Sequence, residues 1–180
     1  MTRFVSLFRG INVGGNKPVR MDALKELHES LGLQRVETYI QSGNVVFSSN
    51  EAIQAQLTRQ IEEAFEHKFG FPSKVVVRTR DELDTIIANN PFQNQPMEES
   101  KRVVAMFLAS DPTSTALEDI HRTYSGPEEL HIIGKEVYIY YPEGIGRSKL
   151  TNNFLEKKLK TMGTARNWNT VLRLQKMMEE

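Results

Sequence analysis

Cysteine is absent from the 180-residue chain. That removes disulfides, thiolate nucleophiles, iron–sulfur ligation and cysteine zinc sites together, and it fits a reducing compartment. Net charge is absent as well, because Lys plus Arg and Asp plus Glu each total 23. No global field draws the chain toward nucleic acid or a membrane, so any electrostatic function has to be local. No apolar run reaches the length of a membrane span. Phe4 to Phe8 is too short for a signal-peptide core, and no small-residue cleavage site follows it. The expectation is a cytoplasmic protein with no membrane partner.

Several chemical signatures are missing too. The histidines at 28, 67, 121 and 131 share no metal-ligand spacing, so neither a metal nor another cofactor is expected. There is no Gly-x-x-x-x-Gly-Lys-Ser/Thr phosphate loop, no Gly-x-Gly-x-x-Gly dinucleotide fingerprint and no Gly-x-Ser-x-Gly elbow. No complete catalytic set remains.

What is present is a foldable chain, 39% hydrophobic, with its cations gathered at the two ends. Residues 1 to 20 hold Arg3, Arg9, Lys17 and Arg20 against no acid, and residues 147 to 180 hold eight cations against Glu156, Glu179 and Glu180. Residues 51 to 100 offset this with nine acids and five cations.

Hydrophobic periodicity switches in the same order twice. Residues 3 to 8 read as a strand; Leu24, Leu27 and Leu31 mark a helix stopped by Gly32. Val36 to Ile40 and Val45 to Phe47 flank a hairpin turn at Gln41 to Asn44. A helix capped by Ser49 or Asn50 carries Ile53, Leu57, Ile61 and Phe65 and ends at Gly70; the strand Lys74 to Arg78 closes the unit. Thr79-Arg80-Asp81-Glu82 has the spacing of a capping box and opens a connecting helix that stops at Asn89-Asn90-Pro91. The polar stretch Gln93 to Ser100 reads as a boundary. Beyond it come a strand over Arg102 to Ala109, a helix opened by Asp111-Pro112, a hairpin of Leu130 to Ile133 with Val137 to Tyr141, a helix over Ser148 to Leu159, a strand over Thr164 to Trp168 and a final helix from Asn169.

This order is an α+β chain of tandem ferredoxin-like βαββαβ subdomains, each an antiparallel sheet with two helices on one face, plus an extra C-terminal helix. The expected division is residues 1–79, a connecting helix and linker over 80–100, and 101–180.

Four motifs carry a resemblance: Leu7-Phe8-Arg9-Gly10-Ile11-Asn12-Val13-Gly14-Gly15, Tyr39-Ile40-Gln41-Ser42-Gly43-Asn44, Gly146-Arg147-Ser148-Lys149-Leu150 and Thr164-Ala165-Arg166-Asn167-Trp168-Asn169-Thr170-Val171. Together they resemble the motif set of domain-of-unknown-function family 1697, uncharacterised bacterial proteins. The resemblance implies a pair of ferredoxin-like subdomains and no particular activity, substrate or cofactor.

In the first motif, three glycines in six positions allow backbone N–H groups to converge on an acceptor, with Arg9 and Lys17 adding charge near the start of the next helix at Pro18 to Met21. The alternative is a long connection that merely needs glycines to turn. The second motif is ordinary hairpin chemistry, with Asn44 a polar contributor. In the third, Arg147 and Lys149 at a helix N-terminus oppose the helix dipole, which an anion between them would relieve; the alternative is a Ser148 cap beside solvated cations. In the fourth, Arg166 and Asn167 sit at a strand-to-helix junction, and Trp168 reads as core.

The leading functional expectation is a small anionic, phosphate-bearing ligand, bound with or without turnover in a basic cleft between the halves. Its candidate residues are Arg9, Gly10, Asn12, Gly14, Gly15, Lys17, Asn44, Arg147, Ser148, Lys149, Arg166 and Asn167. The alternative is a nucleic-acid binder, for which Tyr138, Tyr140 and Tyr141 are a modest stacking platform without an RNA-recognition motif. The third class is a protein-interaction module using a stripe of Val171, Leu174 and Met178 on the final helix.

Overall fold

The computed structural model describes residues 1–180 except for the side chain of Met97. Its elements are β1 (Thr2–Phe8), α1 (Met21–Ser30), β2 (Gln34–Tyr39), β3 (Asn44–Ser49), α2 (Gln54–Phe69), β4 (Val75–Thr79), α3 (Arg80–Ala88), β5 (Val103–Leu108), α4 (Ala116–Thr123), β6 (Glu129–Ile133), β7 (Glu136–Tyr140), α5 (Asn152–Leu159), β8 (Gly163–Asn167) and α6 (Trp168–Glu179). Short 3-10 turns lie at Met97–Arg102 and Ile145–Arg147. The succession is βαββαβ twice, with a linking and a terminal helix. The sheets have strand orders β2-β3-β1-β4 and β6-β7-β5-β8, with every pairing antiparallel. This is the split βαβ order of a ferredoxin-like unit, and the α+β class read from the sequence is the one observed.

The chain divides into two compact units, Met1–Thr85 with Arg173–Glu180, and Ile86–Leu172. Among the described residues no helix is long and apolar enough to cross a membrane.

In the first unit, alternate residues of the strands meet one helical face. Phe4, Phe8, Val45, Phe47, Val75 and Val77 cluster with Leu24, Leu27, Leu57, Ile61 and Phe65. Each such side chain contributes about 1.5–3 kcal/mol on burial. Ser6 shares the parity of Phe4 and Phe8 and would be left unpaired among them. His28 of α1 meets it, its Nε2 2.9 Å from Ser6 Oγ and its Nδ1 2.8 Å from the Leu24 carbonyl, with both residues fully buried.

Residues of the opposite parity, Val5, Leu7, Val46 and Val76, are buried too. Strands β1, β3 and β4 therefore have two covered faces rather than one, which is why they read as apolar runs instead of alternating ones, while the edge strand β2 stays largely exposed. The end of α6 belongs to this unit. Arg3, 8% exposed, donates to the Met177 carbonyl at 3.2 Å, and Arg35 donates to the Glu180 carbonyl. Cations are favourable at a helix C-terminus, where carbonyls lack helical partners.

The second unit repeats the pattern. Val104, Met106, Leu108, Val137, Ile139 and Tyr141 form a cluster with Ala116, Ile120, Leu155 and Leu159. The opposite face, with Val103, Ala105, Phe107 and Tyr138, is again buried.

Local starts and stops match the sequence where a cap is chemically explicit. Thr79 and Glu82 make the reciprocal capping box, Glu82 N–H to Thr79 Oγ1 at 3.1 Å and Thr79 N–H to Glu82 Oε1 at 3.3 Å. Gly70 ends α2 at φ +80. Three helix starts move. Ser49 lies in β3, its Oγ accepting from the Glu51 N–H, so α2 begins at Gln54 and Ile53 stays 52% exposed. Asp111-Pro112 precedes α4 by several residues. The residues from Ser148 to Thr151 are not helical: α5 begins at Asn152, capped by Thr151 Oγ1, which accepts from the Phe154 N–H at 3.2 Å.

Candidate functional site

The glycine-rich segment after β1 is a small rigid finger. Gly10, Asn12, Gly14, Gly15 and Lys17 all have φ between +50 and +79. Asn16 N–H reaches the Val13 carbonyl at 2.9 Å and Asn12 N–H the Lys17 carbonyl at 3.2 Å, around the Gly14-Gly15 pair. Positive φ at both central residues is the two-residue turn matched to strand twist. The amides of Asn12 and Asn16 are thus spent inside the finger and are not part of an open anion cradle.

Asn12 holds this finger in place. Its Oδ1 accepts from the Val19 N–H at 2.7 Å, and its Nδ2 donates to the carbonyls of Val19 at 2.9 Å and Gln41 at 2.8 Å. The last bond joins the first motif to the second. The turn is fitted against it, with Phe8 N–H on the Gly43 carbonyl at 2.9 Å. A Cβ on Gly43 would lie 2.6 Å from Ile11 Cδ1, at φ +86. Asn44 is buried and donates to the Tyr39 carbonyl and Ser42 Oγ, both at 2.9 Å, so it shapes the turn. The start of β4 completes this end of the sheet: Arg9 N–H bonds the Lys74 carbonyl at 2.9 Å, and Ser73 Oγ donates to the Arg9 carbonyl at 3.0 Å.

The charges here are uneven. Arg9 is half-buried and Lys17 exposed, its Nζ 5.9 Å from the Phe71 ring centroid. Lys74 lies 4.0 Å from Glu62. Arg20 forms a forked pair with Asp22, whose carboxylate also accepts from the Ala23 N–H. That backbone bond, then Arg20, holds Asp22 below the usual carboxylate range. An acid of the chain therefore occupies the first turn of α1, the place where the sequence suggested a bound anion.

In the second unit, Arg147 and Lys149 are exposed on the loop between β7 and α5. They are not at a helix N-terminus, so the dipole argument made from the sequence does not apply to them. Ser148 Oγ donates to Glu128 Oε1 at 2.9 Å and accepts from the Leu150 N–H at 3.0 Å. Tyr124 donates to the other Glu128 oxygen. Burial pushes the Glu128 carboxyl up, but the bonds from Tyr124 and Ser148 outweigh it and leave the group below its ordinary value.

Arg166 is 6% exposed, with Nη1 2.6 Å from Thr164 Oγ1 and 2.9 Å from the Ala165 carbonyl. Burial draws its pKa down from 12.5 to about 10, so it stays a cation at neutral pH. Asn167 donates to the Lys101 carbonyl at 2.8 Å and accepts from the Asn169 N–H at 3.0 Å, joining β8 to α6.

The tyrosine platform is not available. Tyr138 is 1% exposed, its hydroxyl donating to the Ile86 carbonyl; Tyr141 is 3% exposed and bonds the Leu150 carbonyl; Tyr140 donates to Glu99. The proposed stripe of α6 is internal as well, with Val171, Leu174 and Met178 at most 1% exposed.

A pocket of about 420 Å³ opens in the second unit beside the first turn of α6. Ile87, Phe92, Val103, Trp168 and Leu172 give it apolar walls, and Asn90, Gln93, Gln95, Ser100 and Asn169 line it with neutral polar groups. Sequence reading passed over it, because Gln93 to Ser100 resembled a linker. The available signal was the density of carboxamides around one phenylalanine, Asn89-Asn90-Pro91-Phe92-Gln93-Asn94-Gln95, with no charge among them.

A doubled βαββαβ chain with two antiparallel sheets, a locked glycine finger and a terminal helix defines a narrow structural class. Residues 1–138 match the family described as a protein of unknown function, DUF1697, and the chain belongs to that family. A solved structure of a conserved bacterial protein, SP0830 from Streptococcus pneumoniae, is similar over 98% of both chains, with a TM-score of 0.74 and 24% identity. That likeness concerns the fold. No curated protein matches the chain.

Proposed function

We propose that the protein binds a small anionic, phosphate-bearing ligand, with the basic glycine finger of the first unit as the principal contact. The observation that carries this reading is the meeting of the first two motifs at one end of a sheet through the Asn12 clamp. Two of the five left-handed residues there, Asn12 and Lys17, are not glycine. Such conformations cost about 1–3 kcal/mol each and persist where surrounding bonds over-determine them, commonly at ligand sites. The clamp holds the finger rigid beside Arg9, Lys17 and Lys74. A ligand meeting a preorganised loop loses less free energy to ordering it. In this reading Lys17 and Arg9 supply charge, Gly14 and Gly15 permit close approach, and Asn12 and Asn44 shape the site without touching the ligand. Arg147 and Lys149 form a second exposed cationic loop of the same chemical type, and buried Arg166 supports the second sheet.

Burial of Tyr138 and Tyr141 weighs against the nucleic-acid alternative, and burial of the α6 stripe against docking through that helix.

The test is titration of the full chain with inorganic phosphate and pyrophosphate, followed by amide chemical shifts of Gly10 to Lys17. Saturable shifts confined to the finger, weakened about tenfold or more in Lys17→Ala, support the reading; charged hydrogen bonds of about 1.5–3 kcal/mol set that scale. Shifts spread evenly over surface lysines, or none, sink it.

A further inference from the structure

We propose that the pocket beside the first turn of α6 binds an uncharged planar heterocycle with an amide-type edge, a nucleobase or the base of a nucleoside. The site is separate from the glycine finger and does not rest on the anion reading.

Charge selects the ligand class first. None of the described lining residues is ionisable. A charged group entering there would leave water for walls that offer no counter-ion, which is costly. A purely apolar ligand fits no better, since it would strip water from several carboxamides without replacing its hydrogen bonds.

The polar groups then define the edge. Asn90 Oδ1 accepts from the Phe92 N–H at 2.9 Å, Gln93 Nε2 donates to the Ala88 carbonyl at 2.6 Å and Asn169 Oδ1 accepts from Ser100 Oγ at 3.2 Å. Each bond fixes one end of a carboxamide and leaves the other end uncommitted: donors at Asn90 and Asn169, an acceptor at Gln93. Gln95 makes no side-chain hydrogen bond among the described residues. Donors and acceptors lining one pocket complement a ring edge that alternates C=O and N–H.

Trp168 adds an independent sign. The residue is 6% exposed; its indole N–H has no acceptor among the described residues and is not sealed off from solvent, so it stays open to a partner from outside. It lines this pocket. A ligand carbonyl would supply the partner that the protein does not. The volume of about 420 Å³ lies within the usual range for small-molecule sites and admits a base with its sugar.

Trp168 is the only tryptophan, so its fluorescence reports this pocket directly. The full-length protein is titrated with uracil, hypoxanthine and orotate, the first two presenting neutral C=O/N–H edges and orotate being the uracil ring with a carboxylate added; saturation-transfer NMR on the same samples checks contact. The expected result is saturable quenching by at least one of the two bases, with orotate about tenfold or more weaker than uracil. Asn169→Ala and Gln95→Ala, both outside the core, should weaken binding about three- to tenfold. Ala88→Phe, at the exposed rim, should abolish it while circular dichroism stays unchanged. Equal response to uracil and orotate, unaltered affinity in folded Ala88→Phe, or binding of acetylated dipeptide amides but of neither base would each overturn the assignment.

Discussion

His28 shows what one side chain can contribute when a fold surrounds it completely. Nothing in the local sequence marks it as a core residue. It is nevertheless the partner that makes Ser6 tolerable in the first core, and burial lowers its pKa from 6.5 to about 4. Between those values the unfolded chain binds a proton that the folded chain refuses. Stability therefore holds above about pH 6.5 and falls as pH drops toward 4, by about 3 kcal/mol in total from this group. Urea denaturation at pH 7 and pH 4.5 should show the loss. The Ser6→Ala/His28→Leu double variant should flatten that slope, and an unchanged slope would assign it to the carboxylates. Gly43 makes a second residue-scale case. Alanine there meets Ile11 and keeps a left-handed backbone, so Gly43→Ala should cost about 3 kcal/mol, read as a lower urea midpoint.

At the scale of elements, caps and clamps decide where helices begin and how loops are held. The Thr79–Glu82 box was legible because both partners lie within one turn. Thr79→Ala should cost about 1 kcal/mol, measured by thermal or urea denaturation. The start of α5 was misread because Ser148, a good cap by type, is engaged by Glu128, twenty positions away. The Asn12 clamp was likewise outside local reach, since Gln41 is 29 positions distant. Asn12→Ala should release the finger while leaving the core intact. Hydrogen exchange should then speed up at the Val19 amide and stay slow in β1 and β3; uniform acceleration would show that the clamp supports the whole unit.

For the molecule as a whole, the decisive feature is that the inner strands of both sheets are buried on two faces, although βαββαβ order alone suggests one. Helix α6 shows how far a chain end can matter. Its last residues belong to the first unit, with Leu174, Met177 and Met178 buried and Arg3 bonded to the Met177 carbonyl. A chain ending at Leu172 should lose roughly 5–9 kcal/mol from the first unit, from three buried side chains at about 1.5–3 kcal/mol each. Hydrogen exchange in β1 and β4 is the measurement. Unchanged protection there would mean that the terminal segment is dispensable.

The sequence by itself determined the element order, the antiparallel α+β class, the family and most helix ends, because period, turn glycines and caps act over a few residues. Only the tertiary structure decided which motifs meet, which cations stay exposed and where a pocket forms. Those depend on the burial of Arg166 and Tyr138, on the second covered face of each sheet and on bonds such as Asn12 to Gln41. All of these arise between residues far apart in the chain, where no local pattern records them.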